Sequence, residues 1–255
     1  MYGICDISCA PLRLEPSGKS EMTSMLLFGE HFSILSREDD WLYIRCAYEG
    51  YKGWLNEKQC RHMDTAAYEA MTKAPDCFSR ALFQQAKSGQ RTVIVPAGST
   101  LPWYQHHSFK IGSEVFETQP GFESCNGSEE KQLIADAMKF LEAPYLWGGR
   151  SPFGIDCSGL TQVVFKINGI QLKRDAAQQA TQGESVTFLG ESRPGDLAFF
   201  DNREGTITHV GILMEDDRII HASGKVRIDS IDQQGIFNRE TGKHTHSLRT
   251  IKRIL

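Results

Sequence analysis

No stretch of this 255-residue chain reaches the roughly 18 consecutive apolar residues a spanning helix needs. Its N-terminus, MYGICDISCAPLRLEPSG, lacks the basic start and apolar core of a secretory signal. With Met1 as the native start the expected location is the cytoplasm; a removed leader would place it in the periplasm or outside the cell. An excess of charge of one sign is missing too. The 28 basic and 32 acidic residues give a net charge of -4, which offers no electrostatic reason to expect nucleic acid or an anionic membrane as partner. Cysteine is sparse and scattered, seven residues at 5, 9, 46, 60, 77, 125 and 157. An odd set without a CxxC pair excludes a disulfide scaffold and argues against zinc. Cys5 and Cys9 form a CxxxC without a second pair, and no metal or cofactor is expected. Six cysteines read as reduced and structural. What is present, 40% hydrophobic and 24% charged residues, describes a globular protein long enough for two or three domains. A monomer is the default expectation.

From Pro11 to Gln59, short β-favouring runs (MLLFGEHFSIL, WLYIRCAY, YKGWL) alternate with turn clusters such as EPSGKS and REDD. The FGE turn, the DW pair opening a strand and GYKGWL resemble bacterial SH3-like domains, which implies a small β-barrel over 1–62. Residues 63–125 read as a second, divergent SH3-like domain: TAAYEAM and FSRALFQQAK look helical, RTVIVPAGSTLPWY and FKIGSEVFE look like strands. QPGFESCNGS then marks a linker. In 126–255, Ser128 can cap a helix with Glu129 and Glu130 in its first turn, and Leu133, Ile134, Ala137, Met138 and Leu141 recur at helical spacing until Pro144. A second helix starts near Cys157, buries Leu160, Val163, Val164 and Ile167, and stops at Asn168-Gly169. DLAFF, HVGILM, RIIHAS and KVRIDSI follow as strands. Helices before an antiparallel sheet make an α+β domain.

Cys157, in GIDCSGL, sits where a helix begins. Unsatisfied N–H groups and aligned peptide dipoles there favour a thiolate, the form that attacks carbonyl carbon. Ser158 and Gly159 leave room for a substrate. A nucleophilic cysteine needs a base, and eight histidines compete. His31 and His62 belong to the first barrel, His106 and His107 flank an aromatic pair, and His244 and His246 fall in the polar TGKHTHS loop. His209 and His221 instead sit on apolar strands joined by MEDDR. A hairpin loop of odd length would put both on one face, and an even one would separate them. As neighbours, one can take the thiol proton while the other holds its tautomer.

The ordered segments APYLWGGRSPFGIDCSGLTQVVF, LKRDAAQQATQG, RPGDLAFF, THVGILM and IIHAS resemble the NlpC/p60 cysteine peptidases, across nearly all of 126–255. The resemblance implies a papain-like α+β catalytic domain preceded by one or two small all-β SH3-like barrels, cutting bacterial peptidoglycan peptides. It puts the nucleophile on Cys157, the base on His209, the third polar residue on His221 and, on Tyr145, a hydroxyl that joins the Cys157 N–H in holding the oxyanion.

A subgroup with SH3-like domains cleaves γ-D-glutamyl-diamino-acid bonds after a free N-terminal L-alanine, and the first barrel resembles it. A barrel closing the cleft after two residues calls for acids to pair the substrate ammonium. Asp156 is the leading candidate, with Ser158 beside the nucleophile and Glu21 and Tyr51 as helpers by resemblance. Arg174 and Asp175 match a family loop and read as ordinary loop salt bridging. The expected activity is release of L-Ala-D-Glu from peptidoglycan peptides in recycling. The alternatives are an exported wall hydrolase acting on intact stems, an inactive wall-peptide binding protein, and amide hydrolysis or acyl transfer on another substrate.

Overall fold

The structure, a computed structural model, describes residues 1–125 and 132–254. The expected cap Ser128 and the acidic residues Glu129 and Glu130 lie outside the described residues.

The first segment is strand apart from a 3-10 turn at Glu57–Gln59: β1 (Tyr2–Ile4), β2 (Cys9–Arg13), β3 (Met22–Leu27), β4 (His31–Glu38), β5 (Trp41–Cys46), β6 (Lys52–Asn56) and β7 (Arg61–Met63) form one seven-stranded antiparallel sheet in the order β3-β2-β6-β5-β4-β1-β7. Period-2 alternation points Leu12, Phe32, Ile34, Leu42, Ile44 and Leu55 into one core. The FGE turn packs hard against the next segment. Gly29 has φ +77°, and a Cβ there would lie 1.9 Å from the Thr100 carbonyl oxygen, so only glycine fits.

The second segment opens with α1 (Thr65–Thr72), the expected TAAYEAM helix, capped by Asp64 accepting from the Ala67 N–H at 2.7 Å. FSRALFQQAK is not helical. It forms β8 (Phe78–Ser79) and β9 (Phe83–Ser88), and β9 pairs with β10 (Arg91–Pro96) along its full length. The apolar spacing of the segment fits either period, and the sheet partners decide it. The hairpin β11 (Ser108–Ile111) and β12 (Glu114–Thr118) completes a four-stranded sheet. β13 (Ser124–Cys125) pairs back to β8, so this part of the expected linker is anchored, and the Cys125 thiol donates to the Ile167 carbonyl at 2.8 Å.

The third segment holds α2 (Leu133–Lys139), the short hairpin β14 (Arg150–Ser151) and β15 (Gly154–Ile155), α3 (Cys157–Ile167) and α4 (Ala176–Gln179). Its strands are β16 (Glu184–Val186), β17 (Leu197–Asp201), β18 (Ile207–Met214), β19 (Arg218–Ser223), β20 (Lys225–Asp232), β21 (Gly235–Asn238) and β22 (Lys243–Arg253). The polar TGKHTHS stretch is therefore not a loop. It opens β22, which pairs with β16, β17 and β21 and so closes β17–β22 into an antiparallel barrel. Ala198, Phe200, Leu213, Ile219, Ile231, Ile236 and Ile251 fill one face of that sheet, while Leu197, Phe199, Val210, Ile212, Ile220 and Ala222 pack under α2 and α3.

The segments share cores. Phe28 of the first stands edge-on to Phe109 and Phe116 of the second, with centroids 5.7 and 5.5 Å away. Met25 and Leu27 join the core under α3. Glu30 takes Arg150 through paired bonds of 2.9 Å and Lys166 at 2.6 Å, all of them buried, and Arg150 also donates to the Met25 carbonyl at 2.7 Å. Among the described residues no helix is long and apolar enough to cross a membrane.

Candidate active site

Asp156 caps α3 from an extended conformation, its Oδ1 accepting the Gly159 N–H at 2.6 Å. The same carboxylate accepts the Gly148 N–H at 2.8 Å on Oδ2 and Arg174 through 3.1 and 2.6 Å bonds. Ser158 accepts from Arg174 at 2.9 Å and donates to Asp156 at 3.2 Å. Arg174 reaches on to Ser24 of the first barrel at 3.0 Å. This network is almost fully buried, Asp156 being 4% and Arg174 1% exposed. One expectation changes accordingly. Arg174 is a buried partner of the nucleophile's helix cap, not an ordinary loop ion pair. Both Asp156 oxygens accept hydrogen bonds within the protein.

Cys157 begins α3, buried, with its thiol beside the backbone N–H groups of Val210 and Ser158. Burial and the Asp156 charge outweigh those donors and Arg174, and push its pKa up to about 11. The helix start favours the thiolate as expected, but desolvation and the adjacent Asp156 oppose it more strongly.

The loop between β18 and β19 has three residues, 215–217, the odd length that puts both histidines on one face. His221 lies opposite Gly211, two residues along from His209. A Cβ on Gly211 would stand 2.9 Å from that of His221 and 2.7 Å from Ile219, so glycine makes room for the rings to meet diagonally. His209 Nε2 and His221 Nδ1 are 2.8 Å apart. Burial first, then the neighbouring His221 and His246, hold His209 well below the ordinary histidine range.

Two partners escaped the sequence reading. Asp229 on β20 lies 3.1 Å from His221 Nε2 and is ion-paired with Arg227 at 2.8 Å. His246 on β22 stacks on His209, centroids 4.1 Å apart. KVRIDSI read as a strand does place Arg227 and Asp229 on one face, the signal that was available. His246 was hidden by the polar composition of its strand.

Tyr145 is half-buried in the turn before α3, and burial with the charges of Cys157 and Asp156 pushes its hydroxyl up to about 12. Glu21, exposed on the first barrel, accepts the indole N–H of Trp147 at 2.6 Å. Tyr51 bonds Thr23 and lines a cavity of about 370 Å³ with Lys173, Arg174 and Gln178; burial, then the Asp175 charge, raises its pKa. The first barrel thus reaches the turn before the nucleophile at Glu21, and the loop carrying Arg174 at Ser24 and Tyr51. Among the described residues no group of three or more His, Cys, Asp or Glu side chains is arranged to hold a metal ion.

Residues 142–245 match the NlpC/P60 family, and residues 12–59 match the bacterial dipeptidyl-peptidase SH3 domain. The gamma-D-glutamyl-L-lysine dipeptidyl-peptidase of Bacillus subtilis (strain 168) is 30% identical over 219 residues, covering 78% of this chain and 71% of the relative. Dipeptidyl-peptidase 6 of Lysinibacillus sphaericus is 27% identical over 275 aligned positions, 94% of this chain and 95% of the relative. The crystal structure of an NlpC/P60 family protein from Bacillus cereus ATCC 10987 superposes on all of this chain and all of its own, with a TM-score of 0.83 at 20% identity, a likeness of fold. The ordered motifs, that shared fold and the extended match to a relative with 30% identity make this chain a member of the NlpC/P60 family, a cysteine peptidase with a bacterial SH3 domain at its N-terminal end.

Proposed function

We propose that the protein is a γ-D-glutamyl-diamino-acid endopeptidase that releases L-Ala-D-Glu from peptidoglycan peptides with a free N-terminal L-alanine. The names of its relatives support the bond class. The observation that carries the free-terminus requirement is the first barrel standing over the nucleophile's loop, with Glu21 on Trp147 and Ser24 on Arg174. In this reading the barrel closes the cleft two residues ahead of the scissile bond and excludes the sugar-linked stem of intact peptidoglycan.

The chemistry follows from the resting charges. His209 commits Nε2 to His221, so Nδ1 is the nitrogen left for the thiol. As the Cys157 sulfur attacks the γ-carbonyl of D-Glu, its proton passes to that nitrogen, and the imidazolium then protonates the departing amine of the diamino acid. Water, deprotonated by the same nitrogen, releases the acyl group. Tyr145 stays protonated and donates, with the Cys157 N–H, to the tetrahedral oxyanion. The substrate ammonium is assigned to Asp156 with Ser158 beside it, and Glu21 and the Tyr51 hydroxyl of the first barrel are its helpers. A cytoplasmic recycling role belongs to the same proposal and is checked by cell fractionation.

The test is mass spectrometry of L-Ala-γ-D-Glu-meso-diaminopimelate and its N-acetylated twin after incubation with wild type and with Cys157→Ala. Release of L-Ala-D-Glu from the free peptide alone, and by wild type alone, is the expected result. Cleavage of both peptides would mean an open cleft and an enzyme of intact wall. Cleavage of neither would end the peptidase assignment for this bond.

A further inference from the structure

His209, His221 and Asp229 climb across three neighbouring strands in equal steps. His221 stands opposite Gly211, two residues from His209, and Ile219, two residues from His221, stands opposite Asp229. The three side chains share one face and one end of the barrel, and all three are nearly buried, at 6, 1 and 5% exposure. A neutral imidazole has one donor and one acceptor nitrogen, so a fixed partner at one end of such a chain dictates every proton in it.

We propose that Asp229 is the positioning residue of this site: it fixes the tautomers of both histidines and thereby leaves His209 Nδ1 as a bare lone pair for the Cys157 proton. The proposal rests on the assignment of Cys157 and His209 as nucleophile and base. An ionised carboxylate can only accept, so His221 donates through Nε2–H to Oδ2 at 3.1 Å. His221 Nδ1 is then the acceptor, and His209 must donate through Nε2–H across 2.8 Å. Nothing else is left on His209 but the unprotonated Nδ1.

Arg227 secures the carboxylate. Its Nε is ion-paired with Oδ2 at 2.8 Å and a terminal N–H donates to Oδ1 at 3.0 Å, while Glu240 holds its other arm at 3.2 Å. Burial works against ionisation of Asp229, but the bonds from His221 and Arg227 outweigh it and hold its pKa below the ordinary range. Arg227 also determines what an isosteric amide would do. In Asp229→Asn the one oxygen turns to the guanidinium and the amide N–H faces His221, which inverts the chain and leaves His209 with its proton on Nδ1, against the thiol.

The experiment is two-part. Nitrogen-15 NMR of histidine-labelled wild type at neutral pH should give Nε2–H for both His209 and His221, and Asp229→Asn should give Nδ1–H for both. Kinetics on the free tripeptide should show kcat down by about 100-fold or more with KM nearly unchanged, the pattern of a wrong tautomer in an intact site. Nδ1–H on His209 of the wild type overturns the proposal without any variant being made. So do unchanged tautomers in a folded Asp229→Asn protein, or a loss of activity expressed wholly in KM. The spectra need no substrate, so a wild type that leaves the peptide uncut would count against the activity assigned above and not against the proton arrangement.

Discussion

Cys157 and His209 are the residues on which everything else depends, and burial shapes both in the same direction, toward the neutral form. The thiol is pushed up to about 11 and the imidazole is held well below its usual range. A papain-like site is often pictured as a preformed thiolate–imidazolium pair; here desolvation and the adjacent Asp156 favour thiol and neutral ring. Alkylation by iodoacetamide discriminates the two. The rate constant should climb with pH, following the thiol toward about 11, with no plateau between about 5 and 8. A plateau there, lost in His209→Ala, would establish the ion pair and overturn the neutral resting state. The nucleophile and the histidine pair were legible because their motifs carry position: a cysteine after an acid at a helix start, and two histidines whose parity depends on a countable loop. Asp156 was legible as a helix cap but not as Arg174's partner, because the arginine comes from a loop 18 residues later and sequence order says nothing of a buried contact.

At the scale of the element, the β18–β19 hairpin is the precision part of the site. It needs three loop residues for parity and glycine at 211 for clearance. Gly211→Ala should cost about 1–3 kcal/mol through overpacking against Ile219 and the His221 Cβ, and it should lower kcat more than it lowers the melting temperature would suggest. Thermal melting and steady-state kinetics check this together; an alanine variant with wild-type melting and rates would show that the rings have slack. Elements with a single strong period or a cap were readable, α1, α3 and β17 to β20 among them. β9 and β22 were not. β9 carries apolar residues at spacings that serve a helix as well as a strand, and β22 is polar along its exposed face, so only its neighbours on both sides make it a strand.

Across the whole molecule, the first barrel and the peptidase are joined by buried charge as well as by apolar contact. Glu30 lies between Arg150 and Lys166. Burial alone would raise its pKa, but the two cations bring it down to about 2. A carboxyl whose folded pKa lies below its unfolded one stabilises fully above the unfolded value, about 4.3, and loses that contribution as pH falls toward the folded one. Stability should therefore decline between about pH 5 and 2. Glu30→Gln should flatten that decline while lowering stability at pH 7 by about 3–5 kcal/mol, since two buried cations are left without their partner. Chemical denaturation across pH measures both. An acid limb as steep in the variant as in wild type would assign the decline to other carboxylates.

The closure of the barrel by β22 has a consequence in time. That strand follows all of its sheet partners in sequence, and it brings His246 onto the face of His209 while sealing β17 to β21. The thiol, its base, His221 and Asp229 precede it, yet the sheet that aligns them has two open edges until β22 arrives. A chain cut short of β22 therefore holds its catalytic residues without holding them in register, so the hydrolase comes into being only once that strand has been made and docked.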